Sequence, residues 1–78
     1  MIRELDLVVL TRPIAKHGLK EGDVGTVVHC YEDHQAYEVE FVDADGSTIA
    51  VLTLEHSEIR TPVRGEILHV RELSPTVH

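Results

Sequence analysis

Apolar and polar residues alternate with a period of two along most of this chain, and such a period predicts β-strands rather than helices. The clearest example is the third predicted strand, where Tyr37, Val39 and Phe41 fall on one face. Glu38 and Glu40, which lie between them, fall on the other face. A strand with this pattern is buried on one side and meets solvent on the other.

The alternation predicts five short strands with no helix of ordinary length between them. Their bounds are Leu5 to Thr11, Val24 to Tyr31, Ala36 to Val42, Ser47 to Leu54 and Glu58 to Thr61. Short antiparallel strands of this kind avoid exposed edges by closing into a barrel. We therefore predict an all-β fold: a small five-stranded SH3-like barrel, residues 1 to 62, with a short irregular C-terminal tail, residues 63 to 78.

Glycines mark the connections between these strands. Gly18, Gly22 and Gly25 lie within eight residues and lead into the second strand, so they permit positive φ or a close approach of two backbones. Gly46 ends the run Asp-Ala-Asp-Gly, which predicts a tight hairpin before the fourth strand. A turn of helix is expected at residues 55 to 57, and the fifth strand is expected to close the sheet.

The tail has no single interpretation. Its segment from Glu66 to Arg71 fits either a sixth strand or a helical turn. The apolar residues of the tail are expected to dock on the barrel or on a second copy of the chain. The sequence leaves these alternatives open.

Charge is distributed unevenly along the chain, whose formal net charge is −7. Lysine and arginine are absent from Glu21 to Glu58, while basic residues gather before and after that stretch. The same stretch contains ten acids: Glu21, Asp23, Glu32, Asp33, Glu38, Glu40, Asp43, Asp45, Glu55 and Glu58. This pattern indicates either a solvated surface that keeps a small protein in solution or a negative face that attracts a basic protein partner.

No group of residues indicates an enzyme, a metal site or a cofactor. Ser57 follows His56 in sequence, which does not bring their side chains together, and a barrel of this size offers no deep pocket. The six histidines lack the close Cys/His spacing of structural zinc. We therefore expect a non-enzymatic protein that holds no metal and no cofactor; the alternative that the sequence leaves open is opportunistic capture of a metal ion by His29 with Asp33 or His34.

Cysteine content and hydropathy predict the compartment. Cys30 is the single cysteine and cannot form an internal disulfide. No apolar run approaches the roughly 20 residues that cross a bilayer. The first residues, Met1 to Asp6, lack the apolar core of a secretory signal. These observations predict a cytoplasmic protein without membrane contact.

Three segments resemble the domain of unknown function 4926 family over residues 4 to 61. They are Leu7-Val8-Val9-Leu10-Thr11, the loop from His17 to Val28, and Tyr37-Glu38-Val39-Glu40-Phe41 with Asp43-Ala44-Asp45-Gly46. The resemblance implies a small bacterial SH3-like barrel and brings no activity, cofactor or site. Some members accompany other uncharacterised proteins, which implies an antitoxin, immunity or accessory type of role.

The chain is also similar to the KOW motif of nucleic-acid-binding barrels, in the Gly-x-x-Gly-x-Val pattern of Gly22, Gly25 and Val27. Binding to RNA or DNA is therefore the rival hypothesis. Nucleic-acid affinity comes largely from several Lys and Arg side chains on one face, and the strand region has none. The preferred partner is another protein or a second copy of this chain.

The predicted contact residues lie in two loops, which in SH3-like barrels border one groove. In the second loop, residues 32 to 35, and its flanks they are Tyr31, Glu32, His34 and Tyr37. In the first loop, residues 14 to 23, they are Lys16, His17 and Lys20. The alternative for the two tyrosines is that both pack in the core.

Overall fold

The computed structural model describes residues 1–73, and strands account for most of its regular structure. The strands are β1 (Leu7–Leu10), β2 (Val24–Cys30), β3 (Ala36–Val42), β4 (Thr48–Glu55) and β5 (Ile59–Arg60). Two short 3-10 turns, Ala15–His17 and His56–Glu58, complete it. The prediction of an all-β fold with five strands is confirmed.

All neighbouring strands pair antiparallel in one sheet of order β4-β3-β2-β1-β5. This order is compatible with the predicted SH3-like barrel. The bounds of β3 agree with the prediction at both ends, and those of the other strands differ by one or two residues. The predicted helical turn is present one residue later, at His56–Glu58.

The largest difference is at the start of β1. The alternation of apolar and polar residues predicts that this strand begins at Leu5, but the backbone turns there, with φ 73° at Leu5. The Leu5 N–H donates to the Val27 carbonyl at 2.7 Å, and the Val27 N–H donates to the Asp6 carbonyl at 2.9 Å. Because Leu5 and Asp6 bond to the single residue Val27 across this turn, the regular pairing of β1 with β2 begins only at Leu7.

The core lies on the inner face of the sheet and draws on every strand. Inward residues of β3 alternate with exposed or half-buried glutamates, as the sequence predicts. The first loop also contributes Leu19, which is 3 % exposed. The buried cluster is Val8, Leu10, Leu19, Val27, Tyr37, Val39, Phe41, Leu54 and Ile59. Gly25 lets β2 approach β3 closely, since a Cβ there would lie 2.6 Å from Val39 Cγ1.

Closure of the sheet is one-sided. The short strand β5 pairs with the end of β1, through Val9 with Arg60 and Leu10 with Ile59. It does not pair with β4, which is the last strand at the other end of the order. The fifth strand was expected to close the sheet; instead, within residues 1–73, β4 keeps a free edge because only the short turn His56–Glu58 links it to β5.

In residues 63–73 the tail is irregular, as predicted, but it contains neither of the two elements expected for residues 66 to 71. In the described part, residues 63–73, it forms no strand and no helix, so both alternatives for residues 66 to 71 are wrong. Instead it runs along the domain and is held by two arginines. Arg60 donates to both Glu66 carboxylate oxygens, at 2.8 and 2.6 Å, and Arg71 Nε donates to Asp23 Oδ1 at 2.8 Å. Residues 74–78 of the predicted tail lie outside the described residues.

Candidate functional site

The second loop is a tight turn fixed by its own hydrogen bonds. The His34 N–H donates to the Tyr31 carbonyl at 2.9 Å, and His34 takes a positive φ of 56°. The Gln35 N–H donates to Asp33 Oδ1 at 3.0 Å, as aspartate commonly accepts in turns. The loop leaves Glu32 exposed and His34 half-buried.

The two tyrosines beside this loop have different surroundings. Tyr31 is 40 % exposed, whereas Tyr37 is 4 % exposed and belongs to the core. The Tyr37 hydroxyl donates to the His34 carbonyl at 3.2 Å, so its polar end is satisfied within the domain. Tyr37 therefore supports the second loop from inside, which corrects its assignment to the contact surface. The reason is the alternation of β3, which places it on the same face as Val39 and Phe41.

The first loop presents two lysines to solvent. Lys16 and Lys20 are exposed and His17 is half-buried. Beneath them the loop is anchored by Leu19 in the core and by the Lys20 N–H, which donates to Asp23 Oδ2 at 2.8 Å. The other face of the loop meets the tail rather than the second loop.

The two predicted groups of contact residues are not joined directly. Within residues 1–73, no hydrogen bond or ion pair connects Lys16, His17 or Lys20 with the residues around the second loop. The turn His56–Glu58 bonds to the second loop, where the His56 N–H donates to the Gln35 carbonyl at 3.1 Å. It also accepts a bond from Thr11, which precedes the first loop: Thr11 Oγ1 donates to the Ser57 carbonyl at 2.9 Å.

Strand residues, rather than loop residues, form the most distinctive surface. The outward side chains of β2, β3 and β4 make one face, which we call the acidic face. Its carboxylates are Glu38, Glu40 and Glu55, and no Lys or Arg lies between residues 21 and 58. Its other members are His29, Tyr31, Thr48 and Thr53, with exposed valines at 28, 42 and 51.

Hydrogen bonds hold two of these carboxylates in place. Thr53 Oγ1 and the Tyr31 hydroxyl both donate to Glu38 Oε2, the latter at 2.7 Å, and Thr48 Oγ1 donates to Glu40 Oε2 at 2.7 Å. The Thr53 and Tyr31 hydrogen bonds lower the pKa of Glu38 below its ordinary value. The hydrogen bond between Tyr31 and Glu38 also raises the pKa of Tyr31, because its phenol donates to a carboxylate. Glu38 is therefore ionised, and Tyr31 protonated, at neutral pH.

An aromatic contact extends this network along β2. The rings of His29 and Tyr31 meet edge to face with centroids 4.9 Å apart. His29 Nδ1 lies 3.7 Å from Glu4 Oε2. Loop-based reasoning selected Tyr31 and missed the strand residues around it; the signal that would have found them is the pair of glutamates alternating with buried residues in β3.

A cavity lies elsewhere, between the first loop, the β3–β4 hairpin and the tail. Its volume is about 340 Å³, and it is lined mainly by apolar side chains such as Leu19, Phe41, Ile49 and Leu73. Its charged pair, Asp23 and Arg71, is already joined. Burial raises the pKa of Asp23, but hydrogen bonds from Arg71 and the Lys20 N–H lower it further than burial raises it. Because Asp23 and Arg71 are bonded to each other, neither is free to act as an acid or a base in this cavity.

Within the described residues, neither a metal-binding cluster nor a membrane-spanning helix is found. No three His, Cys, Asp or Glu side chains within residues 1–73 lie close enough together to hold a metal ion. None of the helices in that part of the chain has the length and hydropathy needed to span a membrane.

The sequence signature of the family "Domain of unknown function (DUF4926)" matches residues 4–61, a range that includes all five strands. The chain belongs to this family. The DUF4926 match ends before the tail, so Glu66 and Arg71 lie outside it. Comparisons with curated proteins and with solved structures give no match. Because the DUF4926 description names no activity, the function has to be argued from the surfaces described above.

Proposed function

We propose that this chain is a non-enzymatic protein-binding domain whose acidic face binds a basic segment of another protein. The observation that carries the proposal is the composition of that face: Glu38, Glu40 and Glu55 with exposed valines between them, and no positive side chain from residue 21 to residue 58. An antitoxin, immunity or accessory type of companion would act through such a contact.

The acidic face has the physical properties of a contact surface. Its carboxylates stand on paired strands, and Glu38 and Glu40 are oriented by hydroxyl groups, so little side-chain entropy is lost when a partner binds. Uncompensated negative charge speeds the encounter with a basic partner and disfavours acidic ones. Val28 and Val51, which are 41 % and 49 % exposed, supply apolar area that binding removes from water.

The remaining surface supports a protein rather than a nucleic acid as partner. Arg60 and Arg71 are already paired with Glu66 and Asp23. Phosphate binding needs several uncommitted cations on one face, whereas this sheet presents carboxylates. The half-buried single thiol of Cys30 fits a reducing compartment, and we propose the cytoplasm.

The test is affinity capture from a lysate of the source organism with matched charge variants. Glu38→Gln/Glu40→Gln removes two charges from the acidic face while an amide oxygen still accepts from Tyr31 and Thr48. Glu21→Gln/Asp45→Asn removes two charges from exposed positions outside it. We expect the wild type to retain one stoichiometric protein that high salt releases, and the face variant to retain about tenfold less.

Two results would contradict the proposal. Equal loss in both double variants would show that net charge, not this face, controls binding. Material that disappears after nuclease treatment would favour the KOW-like alternative instead. Circular dichroism of both variants checks that each has kept its fold.

A further inference from the structure

The outer edge of β4 is an unpaired strand edge. Strand β4 pairs with β3 over its whole length, from Thr48 opposite Val42 to Glu55 opposite Ala36. Among the strands of residues 1–73, none follows β4 on its other side in the sheet order. Within residues 1–73, the backbone groups of residues 49 to 54 make no hydrogen bond outside the β3–β4 ladder.

The alternation of backbone groups shows which residues face this edge. The Ala36 carbonyl accepts from the Tyr31 N–H, so the backbone groups of Ala36 point toward β2. Because the backbone groups of successive residues in a strand point to opposite sides, those of Tyr37 and Val39 point toward β4. Their partners are Leu54 and Leu52. The N–H and C=O groups of Val51 and Thr53 therefore point away from β3, toward the free edge.

This edge lacks the features that usually prevent strand addition. Natural edges are short, carry lysine or proline, or are twisted by bulges. Strand β4 has eight residues, Thr-Ile-Ala-Val-Leu-Thr-Leu-Glu, without Lys, Arg or Pro. Its register shift is confined to the start, between Phe41 and Val42 on the partner strand. The stretch from Ala50 to Leu54 remains regular.

We propose that the β4 edge accepts an extended, basic segment of another protein as an added strand, an inference that rests on the protein-binding function proposed above. Main-chain hydrogen bonds to Val51 and Thr53 then supply affinity, and the side chains of the added strand supply specificity. Those side chains would stand beside the acidic face, because Val51 and Thr53 also point their side chains onto it.

Charge selects a basic segment rather than a second copy of the chain. An added strand lies about 5 Å from β4 and about 10 Å from the β3 residues Glu38 and Glu40. A lysine or arginine side chain of the added strand and a glutamate side chain of β3, each reaching toward the other over the same face, together span that distance. Pairing of β4 with β4 of a second copy would instead bring together two acidic faces, each from a chain of net charge −7.

The probe is a synthetic peptide of sequence Lys-Val-Lys-Val-Lys-Val-Lys, titrated into the full chain. Val51→Pro removes one edge N–H, which the β3 ladder does not use, whereas Val51→Ala removes the side chain and keeps that N–H. We expect Val51→Pro to weaken binding about tenfold relative to Val51→Ala. In the wild type, hydrogen exchange at the Val51 and Thr53 amides should slow when the peptide is present.

The outcomes separate this inference from the function on which it rests. The proposal that the β4 edge accepts an added strand would be overturned if Val51→Pro and Val51→Ala bound the peptide equally well. It would also be overturned if the peptide bound without slowing exchange at the Val51 and Thr53 amides. A failure of the peptide to bind would overturn the same proposal. If raising the concentration of the chain, without peptide, slowed exchange at these amides, the edge would pair with a second copy instead, and the proposal would again be overturned. Loss of binding in Val51→Pro but not in Glu38→Gln/Glu40→Gln would retain the edge and refute the acidic face. The exchange measurement uses the wild type, so the test holds even if Val51→Pro does not fold.

Discussion

At the scale of single residues, Gly25 is the glycine at which an added side chain would meet the shortest contacts. It lies in β2 opposite Val8, and its missing side chain leaves room for β3 to cross closely. A Cβ there would lie 2.6 Å from Val39 Cγ1 and 2.9 Å from Phe41 Cε1, both in the core. Neither neighbour can move away without displacing other buried side chains.

Gly25→Ala is therefore expected to lower the free energy of unfolding by about 1–3 kcal/mol, the usual cost of overpacking. Chemical denaturation monitored by circular dichroism measures it. Val28→Ala on the same strand, at a position 41 % exposed, is the control and should change stability by less than about 0.5 kcal/mol. Equal effects of the two substitutions would mean that β2 and β3 are not in close contact.

Residues of this kind show where sequence reasoning succeeds. Three glycines that lead into the second strand predicted positive φ or close backbone approach, and both occur: Gly18 and Gly22, before β2, have φ of 70° and 94°, and Gly25, within β2, makes the close approach. Leu5 shows where it fails. Nothing in the alternation marks a leucine with φ 73°, because hydrogen bonds to Val27, far along the chain, position that turn.

At the scale of elements, the strands are determined by residues close together in sequence, whereas the course of the tail depends on residues far apart in sequence. Strand β3 follows from its own alternation, and its bounds were predicted correctly. The course of the tail depends on two side-chain pairs, Arg60 with Glu66 and Arg71 with Asp23, the second spanning 48 positions. Periodicity contains no information about such a distant pair, so the sequence leaves both a strand and a helical turn open for residues 66 to 71.

Acidification provides a test of how the tail is held. Hydrogen bonds from Arg60 and from the Val63 N–H lower the pKa of Glu66 from its ordinary value of 4.5 to about 2. A carboxyl group with a lowered pKa stabilises the docked tail fully above pH 4.5, and this contribution is lost as the pH falls toward 2.

We therefore expect the NMR signals of Ile67 and Leu68 to move toward those of a detached tail across that interval of pH. Glu66→Gln, which cannot ionise, should show the detached signals already at neutral pH. Asp23 in the other pair also titrates at low pH, so the comparison with Glu66→Gln isolates the Glu66 contribution. Identical titration curves for the two proteins would contradict the role of the Arg60 to Glu66 pair.

At the scale of the whole molecule, charge and topology lead to the same surface. The basic-free stretch from residue 21 to residue 58 was visible in the sequence, and the interpretation as a negative face was one of two that the sequence left open. Folding places Glu38, Glu40 and Glu55 of that stretch on the outer side of a sheet whose last strand, β4, has an unpaired outer edge within residues 1–73. The open edge could not be predicted, because five short strands were expected to close on themselves.

The location of the site was only partly predictable for the same reason. Tyr31 was selected as a loop residue, and it does contribute to the acidic face through its bond to Glu38. Lys16 and Lys20 belong to a different part of the surface, next to the tail. Which loops and strands share a face depends on strand order and register, and these are set by long-range pairing rather than by local pattern.

The most direct test of the central claim is hydrogen exchange measured by mass spectrometry or NMR on the chain bound to its captured partner. If the acidic face is the contact surface, exchange slows in β3 and β4 and remains unchanged at Lys16 and Lys20 of the first loop. Slower exchange confined to the first loop and the tail, with β3 and β4 unaffected, would contradict the proposal that this domain binds through its acidic face.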